Sequence, residues 1–90
     1  MIAAAKPHYS LLLVEDSATE VQALQAALQG APFTFDARHV DTEDGFRAAL
    51  AGRAPDLVIS AAHLADTSAT RVLALLRESG RGIPLIVISE

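Results

Sequence analysis

Four apolar residues, Leu11 to Val14, run without interruption into two adjacent carboxylates, Glu15 and Asp16. An apolar run bounded in this way reads as a strand buried on both faces, the usual state in a parallel sheet. The pattern then changes period. Val21, Leu24 and Leu28 recur at helical spacing and predict a helix over about residues 18–28, with Ser17 as N-cap and Glu20 completing a capping box. Gly30 closes that helix and Pro32 prevents its continuation. Phe33, Phe35 and Ala37 alternate with Thr34, Asp36 and Arg38, the period-two signature of a second strand over about residues 33–40. Its charge and one-sided apolarity suit a sheet edge.

The alternation of periods continues. Asp41 and Thr42 cap a helix over about residues 43–51 that buries Phe46, Ala49 and Leu50, with Gly52 at its end. Residues 56–60 form a third strand that is apolar through its middle, and residues 61–67 form a loop. Thr67 or Ser68 caps a third helix to about Ser79, in which Val72, Leu75, Leu76 and Ser79 follow the i, i+3, i+4, i+7 rule. After Gly80 and Gly82, residues 84–89 form a fourth strand. Strands and helices that alternate over such short connections can only be crossover units, so the fold is α/β with a parallel sheet.

Composition narrows the function classes. Ninety residues make one small domain, with residues 1–9, which include Pro7 and lack periodicity, read as a leader before a domain over residues 10–90. The formal charge of −4 and the absence of a basic helix exclude an electrostatic case for nucleic acid or an anionic membrane. No segment approaches the ~20 apolar residues of a membrane span. The lack of cysteine removes thiolate and disulfide chemistry and fits a reducing compartment, so the cytoplasm is the expected location.

The candidate chemistry sits after the first strand. Glu15 and Asp16 lie at its carboxyl end, where open α/β sheets place their ligand crevice. Two adjacent carboxylates repel each other and accommodate a hard divalent cation such as Mg²⁺; read otherwise, they are solvated charges favoured by the dipole of the following helix. A nucleotide-binding α/β domain would need a glycine-rich loop here, and residues 14–18 contain no glycine. His39 reads as a strand-end polar residue, and Asp56 as a residue that contacts a turn ahead of its strand.

Taken together, residues 12–17, 55–60, 75–78 and 83–89 resemble, in order and spacing, the receiver domain of bacterial two-component response regulators. The resemblance covers about residues 9–90 and implies a flavodoxin-like sheet. It implies a strand order of 2-1-3-4 here, without the last helix–strand–helix segment of the family. Such domains receive a phosphoryl group from a kinase histidine on an aspartate that ends the third strand, with Mg²⁺ held by that aspartate and the acidic pair. By position, Glu15 and Asp16 match the acidic pair and Ser89 the hydroxyl that contacts the phosphoryl group.

The acceptor position falls on Ala61, whose methyl group takes no phosphoryl and gives no metal ligand. The resemblance therefore implies a degenerate receiver: no enzyme, no required cofactor, weak Mg²⁺ binding at most, and action through protein contact with a histidine kinase or an output domain. A different class of hypothesis is an active phosphotransfer domain with a displaced acceptor at Asp66 and Mg²⁺ at Glu15 and Asp16. Ser60, next to the acceptor position, points to the opposite face of the sheet, and His63 is read as a loop side chain. The sequence stops where the fourth strand ends, so the family's last lysine-bearing strand lies outside it. That predicts either a fragment of a longer protein or self-association, first of all edge to edge through the fourth strand.

Overall fold

The computed structural model describes residues 7–88, over which strand and helix alternate: β1 (His8–Val14), α1 (Ala18–Leu28), β2 (Thr34–Val40), α2 (Glu43–Ala51), β3 (Leu57–Ala61), α3 (Ala69–Ser79) and β4 (Leu85–Ile88). Among the described residues these strands pair in parallel, in the order β2-β1-β3-β4. The apolar run Leu11 to Val14 occupies a central strand and is wholly buried, as its pattern requires.

Pairing moves several element boundaries. β1 begins at His8, two residues inside the expected leader, because His8 lies opposite Thr34 and the Thr34 N–H donates to the Pro7 carbonyl at 2.9 Å. The side chains agree with that register: His8 Nδ1 lies 2.7 Å from Thr34 Oγ1 and His8 Nε2 3.2 Å from Asp36 Oδ2. Phe33 falls before β2 and meets Tyr9 and Phe35 edge-on, at centroid distances of 5.2 and 6.2 Å. β3 extends to Ala61, and Asp56 precedes it. The Asp56 carboxylate accepts the Ser10 N–H at 2.7 Å, so it ties β3 to β1 and does not contact a turn as expected.

The pleat sorts the strand residues onto two faces. Leu12, Val14 and Val58 face Phe46 and Leu50 of α2 and Val72, Leu75 and Leu76 of α3, a continuous buried cluster. Leu13 and Ile59 face the other way, where α1 contributes one buried residue, Val21, flanked by half-buried Leu24 and Leu28. Full burial is worth about 1.5–3 kcal/mol per large apolar side chain, so the α2–α3 face carries most of the hydrophobic stabilisation. The α1 face is thinly covered. β4 forms an edge of the sheet, with Ile86 and Val87 each 49% exposed.

The helix ends follow their residues. Ser17, Thr42 and Ser68 cap α1, α2 and α3, accepting the N–H groups of Glu20, Gly45 and Arg71 at 3.3, 3.0 and 3.2 Å. The reciprocal half of the expected capping box does not form. The Ser17 N–H donates instead to Glu15 Oε1 at 3.1 Å, because Glu15 lies on the same turn and reaches it first. α1 ends at Gln29 in right-handed conformation, one residue before Gly30, whereas α3 ends at Gly80 with φ of +67°. That left-handed conformation favours glycine. Among the described residues no helix is long and apolar enough to cross a membrane.

Candidate functional site

The carboxyl ends of β1, β3 and β4 enclose a cavity of about 370 Å³. Glu15, Asp16 and Glu20 line one side, Ala61, Ala62 and Ile88 supply apolar wall, and His63 stands at the rim. The position follows from strand direction. Because the strands are parallel, Val14, Ala61 and Ile88 all end at the same side of the sheet, where the loops after β1 and β3 leave space between them. One ladder bond beyond β3, from the Ala62 N–H to the Ile88 carbonyl at 2.9 Å, holds Ala61 and Ala62 against β4.

Backbone donors fix the acidic pair. The Glu15 N–H donates to the Val40 carbonyl at 3.1 Å, extending the β1–β2 pairing, and His39 Nε2 bonds the Glu15 carbonyl. Glu15 Oε1 accepts the N–H groups of Asp16 and Ser17 at 3.0 and 3.1 Å, so this carboxylate folds over the start of α1. Asp16 Oδ2 accepts the Ala65 N–H at 2.7 Å, across a sequence separation of 49 residues. Among the described residues no lysine or arginine lines the cavity, and Glu15, Asp16 and Glu20 bring three carboxyl groups to it.

The structure brings Glu15, Asp16 and Ala61 together, as their sequence positions imply, and separates Asp66 from them. Asp66 Oδ2 accepts the Glu43 N–H at 2.9 Å, at the first residue of α2, and does not line the cavity. Ser60 is fully buried, and its hydroxyl donates to the Ala61 carbonyl at 2.8 Å. Ser89 lies outside the described residues. Sequence reasoning did not single out Glu20 as a wall of the cavity, or His39 as the partner of the Glu15 carbonyl. Glu20 carried a signal, since a residue one helical turn beyond the acidic pair returns to the same side. His39 carried none, because its contact depends on the β1–β2 register.

A divalent cation would face Glu15 and Asp16, each of which already commits one carboxylate oxygen to backbone N–H groups. Ala61 presents a methyl group where a further carboxylate would complete the set, and among the described residues no group of three or more His, Cys, Asp or Glu side chains gathers as a metal site. The remaining donors fit a loosely held hard cation that keeps most of its water.

Outside the cavity, Glu43 links α2 to α3. Its Oε1 accepts Arg71 Nε and Nη2 at 3.0 and 2.9 Å and Arg47 Nη2 at 3.1 Å. Hydrogen bonding from Arg71, aided by Arg47, holds the Glu43 carboxyl below its ordinary value, and the same contact raises Arg71.

The parallel order 2-1-3-4, the intervening helices and a crevice at the strand ends define the fold of a response-regulator receiver domain. Neither a protein-family profile nor a curated protein matches the chain. Solved structures do. The chain is similar to the MaeR response regulator bound to beryllium trifluoride, with a TM-score of 0.77 and 24% identity over 89% of this chain and 66% of that one. It is similar to the phosphorylated cyanobacterial phytochrome response regulator RcpA, with a TM-score of 0.79 and 24% identity over 91% and 65%. An aspartate-to-alanine mutant of MaeR bound to sulfate gives a TM-score of 0.76 and 27% identity over 96% and 68%. The chain thus spans about two thirds of the length of these proteins.

Proposed function

We propose that this chain is a receiver-type module of two-component signalling that takes no phosphoryl group at the usual position and works by protein–protein contact. The observation that carries this reading is the Ala61 methyl group at the end of β3, in the cavity that also holds Glu15 and Asp16. Phosphoryl transfer to a side chain needs a nucleophilic oxygen at that point, and a methyl group has none. The displaced acceptor Asp66 is not favoured, since its carboxylate serves the N-terminus of α2. The module is therefore not an enzyme and requires no cofactor, with Mg²⁺ bound weakly at Glu15 and Asp16.

Its partners in this reading are a sensor histidine kinase or an output domain of the same pathway, in the cytoplasm. A second copy joined along β4 is a further partner, supported by the half-exposed Ile86 and Val87 on that edge. Intact-mass measurement after incubation with a small acyl phosphate and Mg²⁺ tests the central point. The expected result is no gain of a phosphoryl mass. A gain that disappears in Asp66→Asn would establish the displaced acceptor instead.

A further inference from the structure

The β3–α3 connection is closed at its base and makes two bonds at its tip. Ala69 N–H donates to the Ala62 carbonyl at 3.3 Å, and His63 and Ser68 form an antiparallel bridge. Leu64 packs against the core cluster of α2 and α3, so the loop is anchored rather than loose. At the tip, two consecutive residues engage different parts of the molecule. The Ala65 N–H is held by Asp16 Oδ2 at the cavity, at 2.7 Å. The Asp66 carboxylate holds the Glu43 N–H at the start of α2, at 2.9 Å.

The connections run on from there. Glu43 Oε1 takes the guanidinium of Arg71 through two bonds of 3.0 and 2.9 Å, and the Arg71 N–H donates to Ser68 Oγ, at the far end of the same loop, at 3.2 Å. Asp16, the loop tip, the first turn of α2 and the first turn of α3 therefore form one hydrogen-bonded chain that returns to the loop.

From this arrangement we infer that the loop is a latch through which Asp16 sets the N-terminus of α2 and the Glu43–Arg71 pair. Only the φ and ψ of Ala65 lie between its N–H and the Asp66 Cα, and the loop is tied at both ends by the His63–Ser68 bridge and the Ala69–Ala62 bond, so a displacement of the tip that frees the Ala65 N–H also moves Asp66. Both tip bonds have an ionised acceptor and are stronger than neutral ones. Losing Asp66 leaves a donor of the first turn of α2 without its acceptor and removes a carboxylate favoured by the helix dipole. Any cation, or cationic side chain of a partner, that draws Asp16 away from Ala65 is thereby reported on the α2–α3 surface. No phosphoryl group is needed, so the latch stands or falls separately from the function proposed above.

Amide hydrogen exchange of the whole chain, read residue by residue by NMR, tests the latch. Asp16→Asn weakens the acceptor with little change in shape, and should speed exchange at Ala65 roughly tenfold. The latch requires that the Glu43 amide also accelerate, by at least about threefold as a fraction of the same bond energy, although Asp16 does not touch it. The reciprocal variant, Asp66→Asn, should accelerate Ala65 as well as Glu43. The amides of Gly52, held by the Ala48 carbonyl at the far end of α2, and of Val58, held by the Pro84 carbonyl, should keep their rates. Acceleration confined to the amide that each carboxylate itself binds would overturn the inference. Uniform acceleration of all four amides would overturn it too, since that is global destabilisation.

Discussion

Replacing Ala61 with aspartate tests whether the methyl group is what separates this cavity from a metal-dependent one. The substitution adds a carboxylate to a cavity of about 370 Å³, which has room for it, but places it beside Glu15 and Asp16, and among the described residues no lysine or arginine lines the cavity to balance the charge. A like charge within about 4–6 Å raises a carboxyl pKa by about a unit, and each unit corresponds to about 1.4 kcal/mol. With two such neighbours, Ala61→Asp should lose about 2–3 kcal/mol in metal-free solution at neutral pH. At about 4–8 °C per kcal/mol for a domain of this size, Tm should fall by roughly 10–20 °C. Mg²⁺ then has a further carboxylate to bind, at the end of β3 between the acidic pair and β4. At a hundred times its Kd it restores about 2.7 kcal/mol, enough to reverse the loss. The natural chain, which lacks that carboxylate, should shift by less than roughly 2 °C under the same conditions, on the same scale. Thermal unfolding of both chains, with EDTA and across a Mg²⁺ titration, measures all of this. Equal stabilisation of the natural chain and of Ala61→Asp by Mg²⁺ would refute the reasoning, because Ala61 would then not limit the site.

Three further outcomes follow from the packing and the charges. Phe46→Ala removes a fully buried ring from the α2–α3 face and should cost about 3–5 kcal/mol; with total stability of about 5–13 kcal/mol for this length, the urea midpoint should drop by a quarter or more, and an unchanged midpoint would contradict the core assignment. Arg71→Met removes the donor that lowers Glu43, so NMR titration should find the Glu43 carboxyl moved up toward its ordinary 4.5. The sign of the pH effect follows: the folded-state pKa of Glu43 is depressed, so its contribution to stability is present above about pH 4.5 and is lost as pH falls through the lower folded value, and Arg71→Met should remove that part of the acid dependence. Ile86→Lys charges the β4 edge at a position already half exposed, so it should leave monomer stability within about 0.5 kcal/mol while weakening any self-association seen by sedimentation velocity; unaltered association would move the interface elsewhere.

The strands and helices were legible in the chain because each has its own period and its own punctuation. Ser17, Thr42 and Ser68 mark three helix starts, and the structure uses all three as caps. The runs Leu11 to Val14 and Leu57 to Ile59 are apolar without alternation, which predicts burial on both faces, and both lie in the central strands. The misplaced boundaries are those where pairing outweighs pattern. His8 and Tyr9 are polar or aromatic residues next to a proline, with nothing local to make them a strand, yet opposite Thr34 and Phe35 they become one. The site divides in the same way. Glu15, Asp16 and Ala61 could be placed together because they lie at, or just past, the carboxyl ends of neighbouring parallel strands. Asp66 and His63 could not be ordered from sequence, since a loop residue's direction depends on what stands opposite it.

The sequence by itself determined the α/β alternation, the parallel character of the sheet, and the chemical fact that Ala61 offers a methyl group at the end of β3. Those properties depend on residue type and on spacings of a few positions, where propensity and sterics act directly. The tertiary structure alone decided that His39 would bond the Glu15 carbonyl, that Asp16 would spend one oxygen on Ala65, and that Asp66 would turn to α2 instead of the cavity. These contacts join residues 24, 49 and 23 positions apart. Hydrogen bonds of that range are set by strand register and by the loop that each crossover leaves free, and a local pattern of apolar and polar residues carries no record of either.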